Sequence, residues 1–315
     1  MKKPLDNNVI RDVALELGVD PSFIEKDWYA VQILALVSEL QSDSKVKMVF
    51  AGGTSLAKGY GLIKRFSEDL DFILTSSDGS PLSVGQRRNY RKAVVSAIQH
   101  DARFRIDEDA ILCGDSHRFF KIPIQYDRIF IGSFLRPYLQ LEMTFTEPKQ
   151  LPRRMSIHSL VSEVARSGPE LEIDCVSAIE TAGDKLSALT WRVLVRDRAN
   201  AKDDPTTIRH LHDLAVLESM VTEAADSFVS TARGSLEQDN NRRGGDVIAG
   251  MAVADRLISA LNVLKEDHLY QKEYTWYVES MSYGAENEVI GFEQALQALE
   301  RIIALYLRPS ASICG

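Results

Sequence analysis

Asp69 and Asp71 stand two residues apart in Asp69-Leu-Asp-Phe72, alternating with apolar side chains. On a strand, successive side chains point to opposite faces, so this order sets both carboxylates on one face and Leu70 with Phe72 on the other. Two carboxylates that close repel unless a cation lies between them. A hard divalent ion, Mg2+ or alternatively Mn2+, held by a few carboxylates and by substrate phosphates, meets that need. Upstream, the apolar run Lys47-Met-Val-Phe-Ala51 meets Gly52-Gly53, where a strand is expected to hand over to a helix. Glycines there let the backbone approach a phosphate, the helix start offers N–H donors, and Thr54 and Ser55 add hydroxyls.

Metal ligands beside a phosphate-binding turn suit phosphoryl or nucleotidyl transfer, in which the protein mainly positions groups and neutralises charge. Such chemistry usually enlists a third carboxylate. Glu142 is the candidate, because Leu139, Leu141, Met143 and Phe145 form one strand face and leave Gln140, Glu142 and Thr144 on the other. A second group of candidates lies downstream. Lys185, Arg192 and Arg196 fall at i, i+7 and i+11 near one stripe of a helix, with Leu186, Leu189 and Val193 available for packing. They read either as a solvated basic face or as cations lining a nucleotide cleft, with Lys185 reaching the phosphates. In Arg209-His-Leu-His-Asp-Leu214, Asp213 is placed to orient Lys185 or Arg192. His210 and His212, two apart, point to different sides of a helix and are not expected to share a metal.

The elements that must carry these residues are legible from periodicity. Val9, Val13 and Leu17 give a first helix ended by Gly18; Asp20-Pro21 caps a second running to Leu40, whose Glu25-Lys26-Asp27 reads by itself as solvated surface. A helix is expected to begin at Thr54, a strand over Asp69–Leu74, a loop from Ser76 to Gly85 and a helix over Arg87–Gln99. Phe119–Tyr126, Ile129–Phe134 and Tyr138–Phe145 read as strands. Ala178–Val195, Thr207–Ala225, Val247–Leu264 and Phe292–Leu307 read as helices, with a polar loop from Gly234 to Gly245. The expectation is an α+β core over residues 1–175 followed by a helical domain over 176–315.

Composition narrows the partners little. A net charge of −8 argues against nucleic-acid binding over the whole surface but leaves room for a local basic groove. Cys113, Cys175 and Cys314 form neither a zinc pattern nor a disulfide framework. No stretch approaches a membrane span and no apolar signal segment follows Lys2-Lys3, so a cytoplasmic protein is expected.

Gly52-Gly-Thr-Ser-Leu-Ala-Lys58 joined to Arg65-Phe-Ser-Glu-Asp-Leu-Asp-Phe72 resembles the AbiEii/AbiGii toxin family. The resemblance extends to Glu25-Lys-Asp-Trp28, to Glu180-Thr181 with Lys185 and Arg192, and to Arg209–Leu214. It implies a polymerase beta-like nucleotidyltransferase core with a mixed sheet; the helical C-terminal domain, which rests on periodicity, is expected to close the nucleotide cleft. By the same likeness, Gly52, Gly53, Thr54 and Ser55 match the nucleotide-phosphate loop, and Lys58 belongs to that motif. Asp69 and Asp71 match the metal pair, and Lys185 and Asp213 match later motifs needed for activity. The implied reaction moves a nucleotidyl group from a nucleoside triphosphate to an acceptor, tRNA first among the candidates, with a cognate antitoxin as protein partner. A protein or small-molecule hydroxyl as acceptor, or a non-catalytic nucleotide-binding regulator, are the alternatives.

Overall fold

The computed structural model describes residues 5–40, 45–132, 135–238, 245–283 and 289–308. Two compact units divide the chain, residues 1–177 and 178–315.

In the first unit, α1 (Asn7–Leu17) is capped by Asp6, whose carboxylate accepts the Asn8 N–H at 2.8 Å, and ends at Gly18 in the left-handed region (φ 67°). Its buried stripe is Ile10, Val13 and Ala14; Val9, expected inside, is on the exposed side. In α2 (Pro21–Glu39) proline opens the helix and Asp20 accepts the Ser22 N–H at 2.9 Å. The strands β1 (Val46–Ala51), β2 (Asp69–Ser76), β3 (Phe104–Arg105), β4 (Leu112–Gly114), β5 (Phe119–Tyr126), β6 (Leu139–Phe145), β7 (Arg153–Ile157) and β8 (Leu171–Cys175) form one mixed sheet. Its order is β3-β5-β6-β2-β1-β8-β7, with β4 paired to β5. The β2–β6 and β1–β8 pairs are parallel and the others antiparallel.

One sheet face carries Met48, Phe50, Leu70, Phe72, Leu74, Ile122, Leu141 and Met143, all buried. Against it pack Tyr29, Ile33, Leu34 and Val37 of α2, together with Tyr90, Val94 and Ile98 of α4 (Val84–Gln99). This apolar layer locks the register, because a slip of one residue would turn Asp69 and Asp71 into the core. On β2 the alternate residues therefore stay at the polar face, beside the short helix α3 (Gly52–Lys58). A further short helix, α5 (Leu160–Val164), lies between β7 and β8 in the chain.

One expected strand is not formed. Over residues 129–132 of the expected Ile129–Phe134 strand the chain is irregular, and 133–134 lie outside the described residues. The reason is local: the N–H groups of Ile129 and Phe130 donate to the two oxygens of the Glu25 carboxylate at 2.9 and 3.1 Å, not to a neighbouring strand.

The second unit is helical: α6 (Ala178–Val195), α7 (Arg209–Glu223), α8 (Ala225–Gln238), α9 (Val253–Glu266), α10 (His268–Met281) and α11 (Phe292–Leu307). At Gly183 of α6 an added Cβ would stand 3.0 Å from the Ala232 nitrogen, so glycine permits the close α6–α8 crossing. Where one helix was expected over Thr207–Ala225, a 3-10 turn at Pro205–Ile208 precedes α7, and Ala225 already begins α8. The helix expected from Val247 starts only at Val253, after Gly250 turns left-handed (φ 81°). Of the polar loop expected at Gly234–Gly245, residues 234–238 continue α8 and 239–244 lie outside the described residues, as does Cys314. Among the described residues no helix is long and apolar enough to cross a membrane.

Candidate active site

Strand β2 lies inside the sheet, and its register fixes what surrounds each carboxylate. Asp71 is opposite Ala51 of β1 and opposite Glu142 of β6, while Asp69 is opposite Gln140. Leu70 and Phe72 are buried on the far face, and Asp69 and Asp71 are half-buried on the near one. The alternation read from the sequence is the one the fold uses.

Immediately after Ala51 the chain turns over the carboxylates. Gly52 has φ +74°, and a Cβ placed there would stand 2.1 Å from Asp71 Oδ2. A Cβ at Gly53 would meet Arg65 Nη2 at 2.8 Å and Ser67 Oγ at 3.2 Å. The diglycine turn is thus wrapped by Asp71, Arg65 and Ser67, and a side chain at Gly52 would have to displace the Asp71 carboxylate. The helix α3 that follows has no side-chain N-cap. The hydroxyls of Thr54 and Ser55 are placed otherwise than expected. Both residues are buried, and Thr54 donates to the carbonyl of Asp69, tying the turn to β2. What this turn can offer a phosphate is backbone N–H, with Arg65 alongside.

The charged groups of the near face are matched to one another. Asp69 Oδ1 accepts from Arg136 Nη2 at 2.6 Å and from Gln140 Nε2 at 3.3 Å. Glu142 Oε1 accepts from Gln140 Nε2 at 2.5 Å and lies 2.6 Å from Lys121 Nζ. As placed, Asp69 and Glu142 turn toward these cations, and among the described residues no three His, Cys, Asp or Glu side chains stand close enough to hold a metal ion together. The Asp69 and Asp71 pair nonetheless suits a hard divalent ion, whose remaining positions would be filled by water and phosphate oxygen. Two of the participating cations escaped the sequence reading. Lys121 was within reach of it, since Phe120, Ile122 and Ile124 are buried and the alternation puts Lys121 on the near face, opposite Glu142. Arg136 lies outside any periodic segment and left no signal.

The triplet Glu25-Lys26-Asp27, expected as solvated surface, is buried, and each member serves a different loop. Glu25 holds Ile129 and Phe130, as above. Lys26 donates to Glu68 and, at 2.8 Å, to the carbonyl of Arg136. Asp27 pairs with Lys58 at the end of α3 and accepts the Leu160 N–H at 2.7 Å. Burial pulls the Lys26 ammonium below its usual range against the pull of Glu68, and pushes the Asp27 carboxyl up against the pull of Lys58. Lys58, expected to touch phosphate, is committed to Asp27 and anchors α3 instead.

In the second unit Lys185 and Asp213 form a buried ion pair between α6 and α7, so of the two partners expected for Asp213 the structure pairs it with Lys185. Arg192 is half-exposed, 3.6 Å from Asp204, which also receives Arg209 at 3.3 Å. Arg196 is taken by Asp203 and Glu273, both at 2.7 Å, and belongs to a structural network with Arg198 and Asp267. His210 has both ring nitrogens buried without a hydrogen-bond partner. Burial, with Arg209, Lys185 and Arg192 nearby, holds its pKa well below the histidine range, so the ring is neutral.

This architecture is shared with MenT4, a nucleotidyltransferase toxin from Mycobacterium tuberculosis H37Rv. The two are 17% identical, and the superposition covers 96% of this chain and 99% of that one with a TM-score of 0.51. At that identity the likeness speaks for the fold. No curated protein matches the chain. The family model described as "Nucleotidyl transferase AbiEii toxin, Type IV TA system" matches residues 35–298. The chain belongs to that family and is a nucleotidyltransferase toxin of the type IV toxin–antitoxin class. A nucleoside triphosphate substrate, a divalent metal and an antitoxin counterpart come with that membership.

Proposed function

We propose that the enzyme transfers a nucleotidyl group from a nucleoside triphosphate to a tRNA hydroxyl, with Mg2+ held by Asp69 and Asp71. The observation that carries the site is the contact of the diglycine turn with the Asp71 carboxylate, which sets a backbone phosphate-binding turn against a potential metal ligand. Bound there, the ion would neutralise charge on the triphosphate oxygens and on the leaving pyrophosphate. Backbone N–H groups of the turn and the Arg65 guanidinium bind the phosphate tail. Glu142, opposite Asp71 in the sheet, serves as the third carboxylate and takes up the proton of the incoming hydroxyl, with Gln140 and Lys121 fixing its position. Lys185 and Arg192 are assigned to nucleotide binding, and Lys185 and Asp213 match by resemblance the later motifs needed for activity, with Asp213 orienting Lys185. The tRNA acceptor rests on the same resemblance.

Incubation with each labelled triphosphate, Mg2+ and total RNA tests the proposal. Label should enter tRNA in the wild type and not in Asp71→Ala. Label entering protein instead would overturn the acceptor, and undiminished transfer by Asp71→Ala would overturn the site.

A further inference from the structure

The Arg136 guanidinium already occupies a cation position at Asp69, and its mooring is unusual for a loop arginine. Glu68 Oε1 accepts the Arg136 backbone N–H at 2.7 Å, and Glu68 Oε2 lies 3.4 Å from Arg136 Nε. Lys26 donates to the Arg136 carbonyl at 2.8 Å and pairs with Glu68 from behind. Both main-chain polar groups of Arg136 and the root of its guanidinium are therefore fixed by one buried ion pair. Tyr138 covers the guanidinium, with its ring centroid 5.8 Å from Cζ. Its outer nitrogen Nη2 reaches Asp69 Oδ1 at 2.6 Å.

Exposure decides which part of this chain of charges can yield. The Lys26 side chain is 6% exposed, and breaking its pair would strand a buried charge. Arg136 and Asp69 are 31% and 28% exposed, so their contact is worth little and a divalent ion can displace it.

We propose that Arg136 is a positioning residue that acts as a displaceable counter-cation for Asp69. It holds the carboxylate in place before metal arrives and lowers metal affinity by competing for the same oxygen, with the Lys26–Glu68 pair as its fixed mount. The Glu25-Lys26-Asp27 triplet then acts on the site through Lys26, although it touches no substrate. This inference rests on Asp69 and Asp71 being the metal ligands, and its test separates the two ideas.

Mn2+ alone is titrated into the full chain, free ion being read by electron paramagnetic resonance, for wild type, Arg136→Gln, Arg136→Lys and Asp71→Asn. Arg136→Gln should bind Mn2+ roughly fivefold more tightly, the scale of a partly exposed ion pair. Arg136→Lys should return affinity toward wild type. A merely structural arginine would weaken binding or leave it unchanged when removed. Unchanged or weaker binding by Arg136→Gln, or equal tightening by Arg136→Lys, overturns the proposal. Asp71→Asn should lose the site. If it binds Mn2+ like wild type, the metal assignment itself fails, independently of the Arg136 result.

Discussion

Gly52 and Gly61 form a matched pair for testing whether the diglycine turn works through Asp71. Both have positive φ, +74° and +63°, so alanine at either carries a similar backbone penalty of about 1–2 kcal/mol. They differ in what the new methyl meets. At Gly61 nothing lies within 4 Å, whereas at Gly52 the methyl carbon would stand 2.1 Å from Asp71 Oδ2. Reaching ordinary contact, which begins at 3.4 Å, requires the carboxylate to retreat by about 1.3 Å. A misplacement of about 1 Å at a reacting centre costs about 10²-fold in rate. Gly61→Ala should therefore lose stability in urea titration and keep its transfer rate when folded. Gly52→Ala should lose similar or somewhat greater stability and about 10²-fold in rate at saturating triphosphate. Equal rates for the two variants, both folded, would show that the turn does not act on Asp71.

Further tests address the remaining groups. Asp71→Ala should remove transfer while leaving the urea midpoint nearly unchanged, since the side chain is half-buried on the polar face of β2 and not in the apolar layer; a collapsed midpoint would make Asp71 structural. Asp27→Ala leaves the buried Lys58 ammonium to the more exposed Glu163, 3.9 Å away, and should cost about 3 kcal/mol in urea titration. Adding Lys58→Met should recover much of that loss, and no recovery would show that the pair is not the cause. His210 predicts a pH dependence whose sign follows from its depressed pKa. The unfolded chain takes up a proton near the ordinary value of 6.5 while the folded ring resists it, so stability is full above that pH and falls below it. Urea titration from about pH 7.5 to about pH 5.5 should show the decline, and His210→Gln should flatten it. An unaltered slope in the variant would assign the dependence elsewhere.

The parts of this protein that were legible beforehand share one property: their meaning is carried by neighbours in sequence. Asp69 and Asp71 could be set on one strand face, and Leu70 with Phe72 on the other, because alternation is a local rule that burial then enforces. The same rule placed Glu142, and the 3.6-residue period placed α6 and α11. What stayed hidden depends on contacts across long stretches of chain. Glu25, Lys26 and Asp27 look like solvated helix surface, and nothing local says that their partners wait at 129–130, 68 and 136, and 58 and 160. Thr54 and Lys58 were misjudged for the complementary reason, since a hydroxyl or an ammonium in a phosphate-loop motif suggests a ligand. The fold turns one to the Asp69 carbonyl and the other to Asp27. Three consecutive charged residues drawn into the interior are costly unless each gains a partner, so their burial itself marks function or architecture. Here each ties a different segment to α2, and two of those segments, α3 with Lys58 and the stretch at Arg136, lie beside β2 or its carboxylates. The site is therefore held from behind by α2. Lys26 substitutions should reach metal affinity through Arg136, whereas loss of Asp27 acts first on stability through Lys58.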